Sequence, residues 1–150
     1  LVETYGAGRF APPPGTPEHR HYIYWLHYAE GSAMPPLLLK LVFARLPTAT
    51  SGLLRPVASM ISGRAQSSFI DPQLALHMGY WESELGKDAW FAGSDFSAAD
   101  IQMSYPVEVA TSRGGLDARY PSTTAWLARI RERPAYQRAE AAGGPVTLGQ

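Results

Sequence analysis

The ten residues "FSAADIQMSY", 96–105, decide how this chain is read. Ser97 and Asp100 stand three apart, the spacing of a helix-start capping box. There the hydroxyl accepts a backbone amide of the first turn and the carboxylate reaches back to the amide of the serine; Asp stands in for the commoner Glu or Gln. Phe96 and Ile101 then occupy the two positions of a hydrophobic staple, which fixes the direction from which the chain enters the helix. The competing reading is chemistry, since a serine beside a carboxylate at a loop–helix junction can be part of a nucleophilic site. That reading needs a base within hydrogen-bond reach, and no histidine lies near these residues in sequence. Phe96, Ser97, Asp100 and Ile101 are therefore expected to start a helix, with no catalytic role.

Working outward, helix signals recur along the chain. Thr16-Pro17-Glu18 is a cap, a first-turn proline and a first-turn acid. Tyr22, Trp25, Leu26, Ala29 and Ala33 follow with helical spacing and form a core face. Tyr24, Tyr28 and Ser32 run along a second face that is aromatic yet polar at its tips. Pro35-Pro36 is expected to break or bend this helix, with 37–46 continuing in a new direction. Pro47 and "TATSG" read as a loop, 53–69 as a weak helix, and Asp71-Pro72 as a fresh start leading through Leu74, Met78, Trp81 and Leu85 to Gly86. After the capping box a helix should reach about Arg113 and stop at Gly114-Gly115. Tyr120-Pro121 opens another to about Arg133, and Pro134 a short one ended by Gly143-Gly144. No segment shows the period-2 alternation of a strand. The expected fold is all-α, a bundle of about six helices. The three prolines at 12–14 preclude helix, so 1–15 reads as a connector ahead of a helical domain from 16 to 150.

Bulk properties exclude several classes. A chain of 150 residues can bury one sizeable core. Its formal net charge of +0 gives no electrostatic reason to expect nucleic acid or an anionic membrane surface as partner. With no cysteine, disulfides, thiolate metal sites and a cysteine nucleophile are ruled out. The longest apolar run, 37–44, is interrupted by Lys40 and falls short of the ~20 residues that span a bilayer. His21 and His27 are six apart and lie on different helix faces, so with His19, Glu18 and Glu30 they form no i, i+4 ligand pair, and no metal is expected.

Three stretches carry a family resemblance. "AWFAGSDFSAADI" (89–101) resembles the capping-box and staple segment of the cytosolic glutathione transferases, which opens the central helix of their all-helical C-terminal domain. "YPSTTAWLARIRERPAYQRA" (120–139) is similar to that family's late helix and following turn. "YWLHYAEGSAMPPLLL" (24–39) resembles the first helix of that domain in a bacterial and fungal subgroup. The three come in family order and together span most of 16–140.

The resemblance implies a cytoplasmic, homodimeric detoxification enzyme that joins the thiol of glutathione to an electrophile, or reduces a peroxide or disulfide with it. It implies that "LVETYG" ends a thioredoxin-like domain that holds glutathione and activates its thiol, and that 1–15 leads from that domain into the helical one, so the chain alone should be inactive. It also implies that the first helix and the helix opened by Ser97 line a pocket for a small hydrophobic electrophile. The residues expected there are Tyr24, Tyr28, Ser32 and Met34, with Tyr105; a flexible thioether and aromatic hydroxyls suit an adaptable apolar pocket. The alternative is a non-catalytic module of the same fold, used for ligand binding or protein association.

Overall fold

The computed structural model describes residues 2–144; residues 145–150, the end of the domain expected from 16 to 150, lie outside them. Eight α-helical segments follow one another: α1 (Val2–Tyr5), α2 (Pro17–Tyr28), α3 (Met34–Ala49), α4 (Arg55–Ala65), α5 (Asp71–Leu85), α6 (Ala98–Val109), α7 (Pro121–Arg131) and α8 (Pro134–Gly143). Two pairs, α2 with α3 and α4 with α5, are fused through π turns at Ala29–Ala33 and Gln66–Ile70. Eight segments with two fusions make six separate helical pieces, an all-α bundle with no strand among the described residues.

The π turns revise the expected breaks. Pro35-Pro36 and Asp71-Pro72 do not interrupt the helices. In each case the residue just before the proline donates its amide five residues back, Met34 to Ala29 and Asp71 to Gln66. The wider turn makes room for a proline ring that would otherwise strike the carbonyl of an α-helical turn, and the missing proline amide falls where the ladder is already shifted. Asp71 therefore caps nothing; it pairs with Lys40 of α3 at 2.5 Å. Pro47 does not start a loop either, because α3 runs on to Ala49. A proline there leaves the carbonyl four residues earlier without its helical donor, and the buried Ser62 of α4 supplies one, its hydroxyl donating to the Phe43 carbonyl at 2.5 Å. A third π turn, Ala110–Gly114, ends α6, and Gly115 takes φ +81°, a conformation open to glycine at no steric cost.

The core is one cluster built on three fully buried tryptophans, Trp25, Trp81 and Trp126. At its centre sits Asp100, also fully buried. Its Oδ2 accepts the Ser97 amide at 2.9 Å and the Ser97 hydroxyl at 3.1 Å, while the Ser97 oxygen accepts the Ala99 amide at 3.2 Å. Its Oδ1 accepts the Phe91 amide and the Trp126 indole N–H, both at 3.0 Å. One carboxylate thus ties the loop before α6, the start of α6 and the middle of α7 together. Burial pushes this carboxyl up from the ordinary range, and the donors from Phe91, Ser97 and Trp126 offset only part of that rise. The connector closes the same corner: the Phe10 carbonyl accepts the Ala98 amide at 2.8 Å, and the Phe10 ring meets Phe96 edge-on at 5.9 Å. Phe96 is half-buried, with the Arg133 guanidinium 3.4 Å from its ring centroid, while Ile101 stays exposed.

Two other carboxylates join helices. The N-cap of α7, Tyr120, supplies no capping side chain; instead Glu82 of α5 accepts the Ser122 amide at 2.8 Å and the Thr123 amide at 2.9 Å. Glu108 of α6 accepts from Arg131 at 2.9 and 2.6 Å and from the Tyr136 hydroxyl at 2.6 Å, linking α6, α7 and α8. Burial would raise both carboxyls, but their hydrogen bonds win and hold each below the ordinary glutamate value of 4.5. A folded-state pKa below the unfolded one means this stabilisation is fully present above the unfolded pKa and is lost as pH falls through the folded one. Thermal midpoints should therefore fall steeply below about pH 4.5. In Glu82→Gln the midpoint should start lower at neutral pH and fall less on acidification. A Glu82→Gln curve parallel to wild type would remove Glu82 from this role.

Candidate functional site

The outer face of α2 and the adjoining π turn carries the most distinctive chemistry outside the core. Tyr24, His27, Tyr28 and Ser32, with Ile23 and Gly31, line a shallow open depression. Its floor is rigid because Trp25, on the opposite side of the same turn, is locked in a stack of rings. Trp25 stacks on Tyr80 at 5.2 Å and 19°, and meets Phe91 at 4.4 Å and Tyr28 at 4.8 Å. Tyr24 packs against Trp25 at 5.3 Å and Tyr28 at 5.5 Å, and is 46% exposed, so its ring presents a face to solvent. Tyr28 is nearly buried, with only its edge in the depression, and its hydroxyl hydrogen-bonds His77 Nδ1 on α5.

Burial sets the protonation here. It pushes the Tyr28 hydroxyl up to about 12, raises the Tyr80 hydroxyl, and lowers His77 below its ordinary value. At neutral pH the Tyr28 and Tyr80 hydroxyls stay protonated and His77 is biased toward its neutral form. What the face can do is bind: it offers aromatic surface to a flat apolar ligand and hydroxyls to orient it.

Of the residues expected in a pocket, the structure brings Tyr24, Tyr28 and Ser32 together. Met34 lies beyond the depression, half-buried against the core. Tyr105 is on the exposed stripe of α6, one turn beyond Ile101, and does not line the depression. Two participants, His77 and Tyr80, escaped the sequence reading, which followed only the apolar stripe of α5. His77 stands one helical turn before Trp81, which was the available signal for placing it on the same side of α5; Tyr80, one residue from Trp81, carried no such signal. A separate apolar groove of about 360 Å3 lies between Phe10, Phe96 and Ile101 on one side and Ile130, Arg133 and Tyr136 on the other. Among the described residues no group of three or more His, Cys, Asp or Glu is placed to hold a metal ion, and no helix is long and apolar enough to cross a membrane.

Residues 56–138 match the family described as Glutathione S-transferase, C-terminal domain, a span running from α4 into α8 that includes the capping box. Over 120 residues, 75% of this chain, the sequence is 31% identical to Glutathione S-transferase 1 of Saccharomyces cerevisiae. The chain belongs to the glutathione S-transferase family. Glutathione S-transferase 3 of Schizosaccharomyces pombe is 27% identical over 136 residues, 90% of this chain. The chain spans about half the length of these two transferases, 50% and 56% of them respectively. A glutathione transferase of Phanerochaete chrysosporium, solved in complex with oxidised glutathione, superposes with a TM-score of 0.70 over 95% of this chain and 61% of its own, at 22% identity. That likeness establishes the shared helical fold of the transferase C-terminal domain.

Proposed function

We propose that this chain is the electrophile-binding domain of a glutathione S-transferase, and that the α2 depression is part of the electrophile pocket. The observation that carries the reading is the pairing of an exposed aromatic face, Tyr24 over Tyr28, with a fully packed support beneath it, in a chain of this family. Binding sites of this kind combine apolar walls with few polar groups and a rigid scaffold. In this reading a thioredoxin-like domain, joined through 1–15, holds glutathione and activates its thiol; the helical domain positions the second substrate and contributes no acid or base. Met34 would act by shaping the wall from behind, and Tyr105 from the neighbouring α6. The partner surface of a homodimer is assigned to the apolar face of α4 and the π turn that follows it, where Met60, Ile61 and Phe69 are exposed.

The test is turnover of chlorodinitrobenzene with glutathione by the longest native form of the protein, compared with Tyr24→Ala and Tyr28→Phe. Tyr24 is half exposed, so its truncation should leave the thermal midpoint nearly unchanged. It should shift the ratio of kcat/KM between a flat aromatic and an aliphatic electrophile by about tenfold, the effect of ~1.4 kcal/mol of lost contact. No turnover by the folded wild-type protein, or an unchanged ratio in Tyr24→Ala, would overturn the assignment. Tyr28 cannot be tested by truncation to Ala, because it is too deeply packed; the phenylalanine keeps the ring and removes only the hydroxyl.

A further inference from the structure

The connector at 1–15 is fastened to the bundle at two points. The first is Phe10. At the start of α6 the capping box takes the Ser97 and Ala99 amides, and the Ala98 amide between them is accepted by the Phe10 carbonyl at 2.8 Å. The Phe10 ring lies edge-on against Phe96, and it lines both hollows that meet at this corner, the apolar groove and a cleft bounded by Pro12, Glu18 and Asp95. The second point is Pro12, whose carbonyl hydrogen-bonds His19 Nδ1 of α2 at 3.0 Å. A carbonyl oxygen can only accept, so the His19 proton sits on Nδ1. Beyond it the prolines at 12–14 hold φ at about −65°, and the Pro13 carbonyl accepts the Thr16 hydroxyl at 2.9 Å. Phe10 itself takes φ +66°, a left-handed conformation that is costly for a residue with a bulky side chain. It persists because the residue is held at both ends, the carbonyl by Ala98 and the ring by Phe96. Upstream, α1 buries none of its residues, so Phe10 and Pro12 set the direction in which the connector meets the bundle.

We propose that Phe10 is a positioning residue for the transferase reaction: pinned to the start of α6, it fixes the angle at which the glutathione-holding domain faces the α2 depression. The role rests on the two-domain reading given above. Domains joined by a loose linker move relative to one another unless a large apolar interface stops them. A reacting group displaced by about 1 Å can lose about a hundredfold in rate. A clamp on the connector removes that freedom from the helical side. The elements that carry the clamp also carry the depression. His19 stands in the first turn of α2, which continues into Tyr24 and Tyr28 and packs along α6. Loosening Phe10 therefore shifts the upstream domain relative to Tyr24 while the contacts of each ligand with its own domain stay intact.

The test separates positioning from stability. In the longest native form, Phe10→Ala should lower kcat for chlorodinitrobenzene and glutathione about ten- to a hundredfold per folded molecule. The KM for glutathione and the Kd of S-hexylglutathione should stay within about twofold of wild type, because neither ligand loses a contact. Phe10→Tyr keeps the ring and should restore kcat. Phe10→Gly relieves the backbone angle but removes the ring, so it should fall with the alanine variant. The Phe10 ring is 39% exposed, so these variants should fold. The clamp is read without turnover by trypsin, which cuts after arginine. Cleavage of the Arg9–Phe10 bond should be at least about tenfold faster in Phe10→Ala and Phe10→Gly than in wild type, with faster hydrogen exchange at the Ala98 amide. A folded Phe10→Ala with undiminished kcat, a loss that falls wholly in KM, or wild-type cleavage as fast as that of the variants would overturn the proposal. Turnover by wild type with an indifferent Phe10→Ala sinks only the role of Phe10; no turnover by folded wild type sinks the transferase reading and the role with it.

Discussion

Asp100→Ala should remove roughly 3–5 kcal/mol of folding stability and lower the thermal midpoint by about 10 °C or more. The change deletes a fully buried carboxylate and strands three donors that have nowhere else to go: the Phe91 amide, the Ser97 amide and the Trp126 indole N–H. Each buried donor left unpaired costs about 1–3 kcal/mol, less than additively because the three share one acceptor. Asp100→Asn keeps the volume but turns an NH2 toward groups that also donate, so its loss should lie between wild type and alanine. Thermal and urea denaturation of the purified variants measure this. Under the proposed function, turnover per folded molecule of the longest native form should survive, since Asp100 touches neither the depression nor solvent. A stable Asp100→Ala protein with abolished turnover would make Asp100 part of the chemistry.

Trp25→Ala is the second large effect, about 3–5 kcal/mol from a large cavity at the centre of the core. Here stability and function should fall together, in contrast to Asp100. Trp25 holds Tyr24, Tyr28 and Tyr80 from below and Phe91 from the side. Without it the tyrosines lose their fixed geometry, so ligands of the α2 face should bind weakly even well below the melting temperature. Denaturation curves together with ligand titration at low temperature measure both parts. Undiminished ligand binding by a destabilised Trp25→Ala would place the pocket elsewhere on the molecule.

The helices were legible in the sequence because their apolar spacing and caps are local signals. The Ser97–Asp100 pair is the clearest case: its half of the hydrogen-bond set lies within four residues. The other half, from Phe91 and from Trp126, 26 residues on, depends on how α7 crosses α6 and leaves no trace in local spacing. The prolines were misread for a physical reason. A proline signals that one helical hydrogen bond is missing, and a chain can meet that loss by stopping or by widening. At Pro35 and Pro72 it widens into a π turn, and at Pro47 a serine from another helix takes the orphaned carbonyl, choices decided by packing. The glutamate that caps α7 comes from α5 and was equally invisible. Tyr24, Tyr28 and Ser32 could be grouped from the sequence because they share a helix face, and they line one depression. His77, whose Nδ1 hydrogen-bonds the Tyr28 hydroxyl, sits on α5 and joins it only in the folded molecule.

The central claim is that an electrophile lies on the α2 face. Co-crystallising the longest native form with S-(dinitrophenyl)glutathione tests it most directly, since the tripeptide and the aromatic group report their sites separately. The dinitrophenyl ring should lie over Tyr24, with Tyr28 and Ser32 at its edge. A ring lodged instead in the groove between Phe96, Ile130 and Tyr136, with the α2 face empty, would contradict the account.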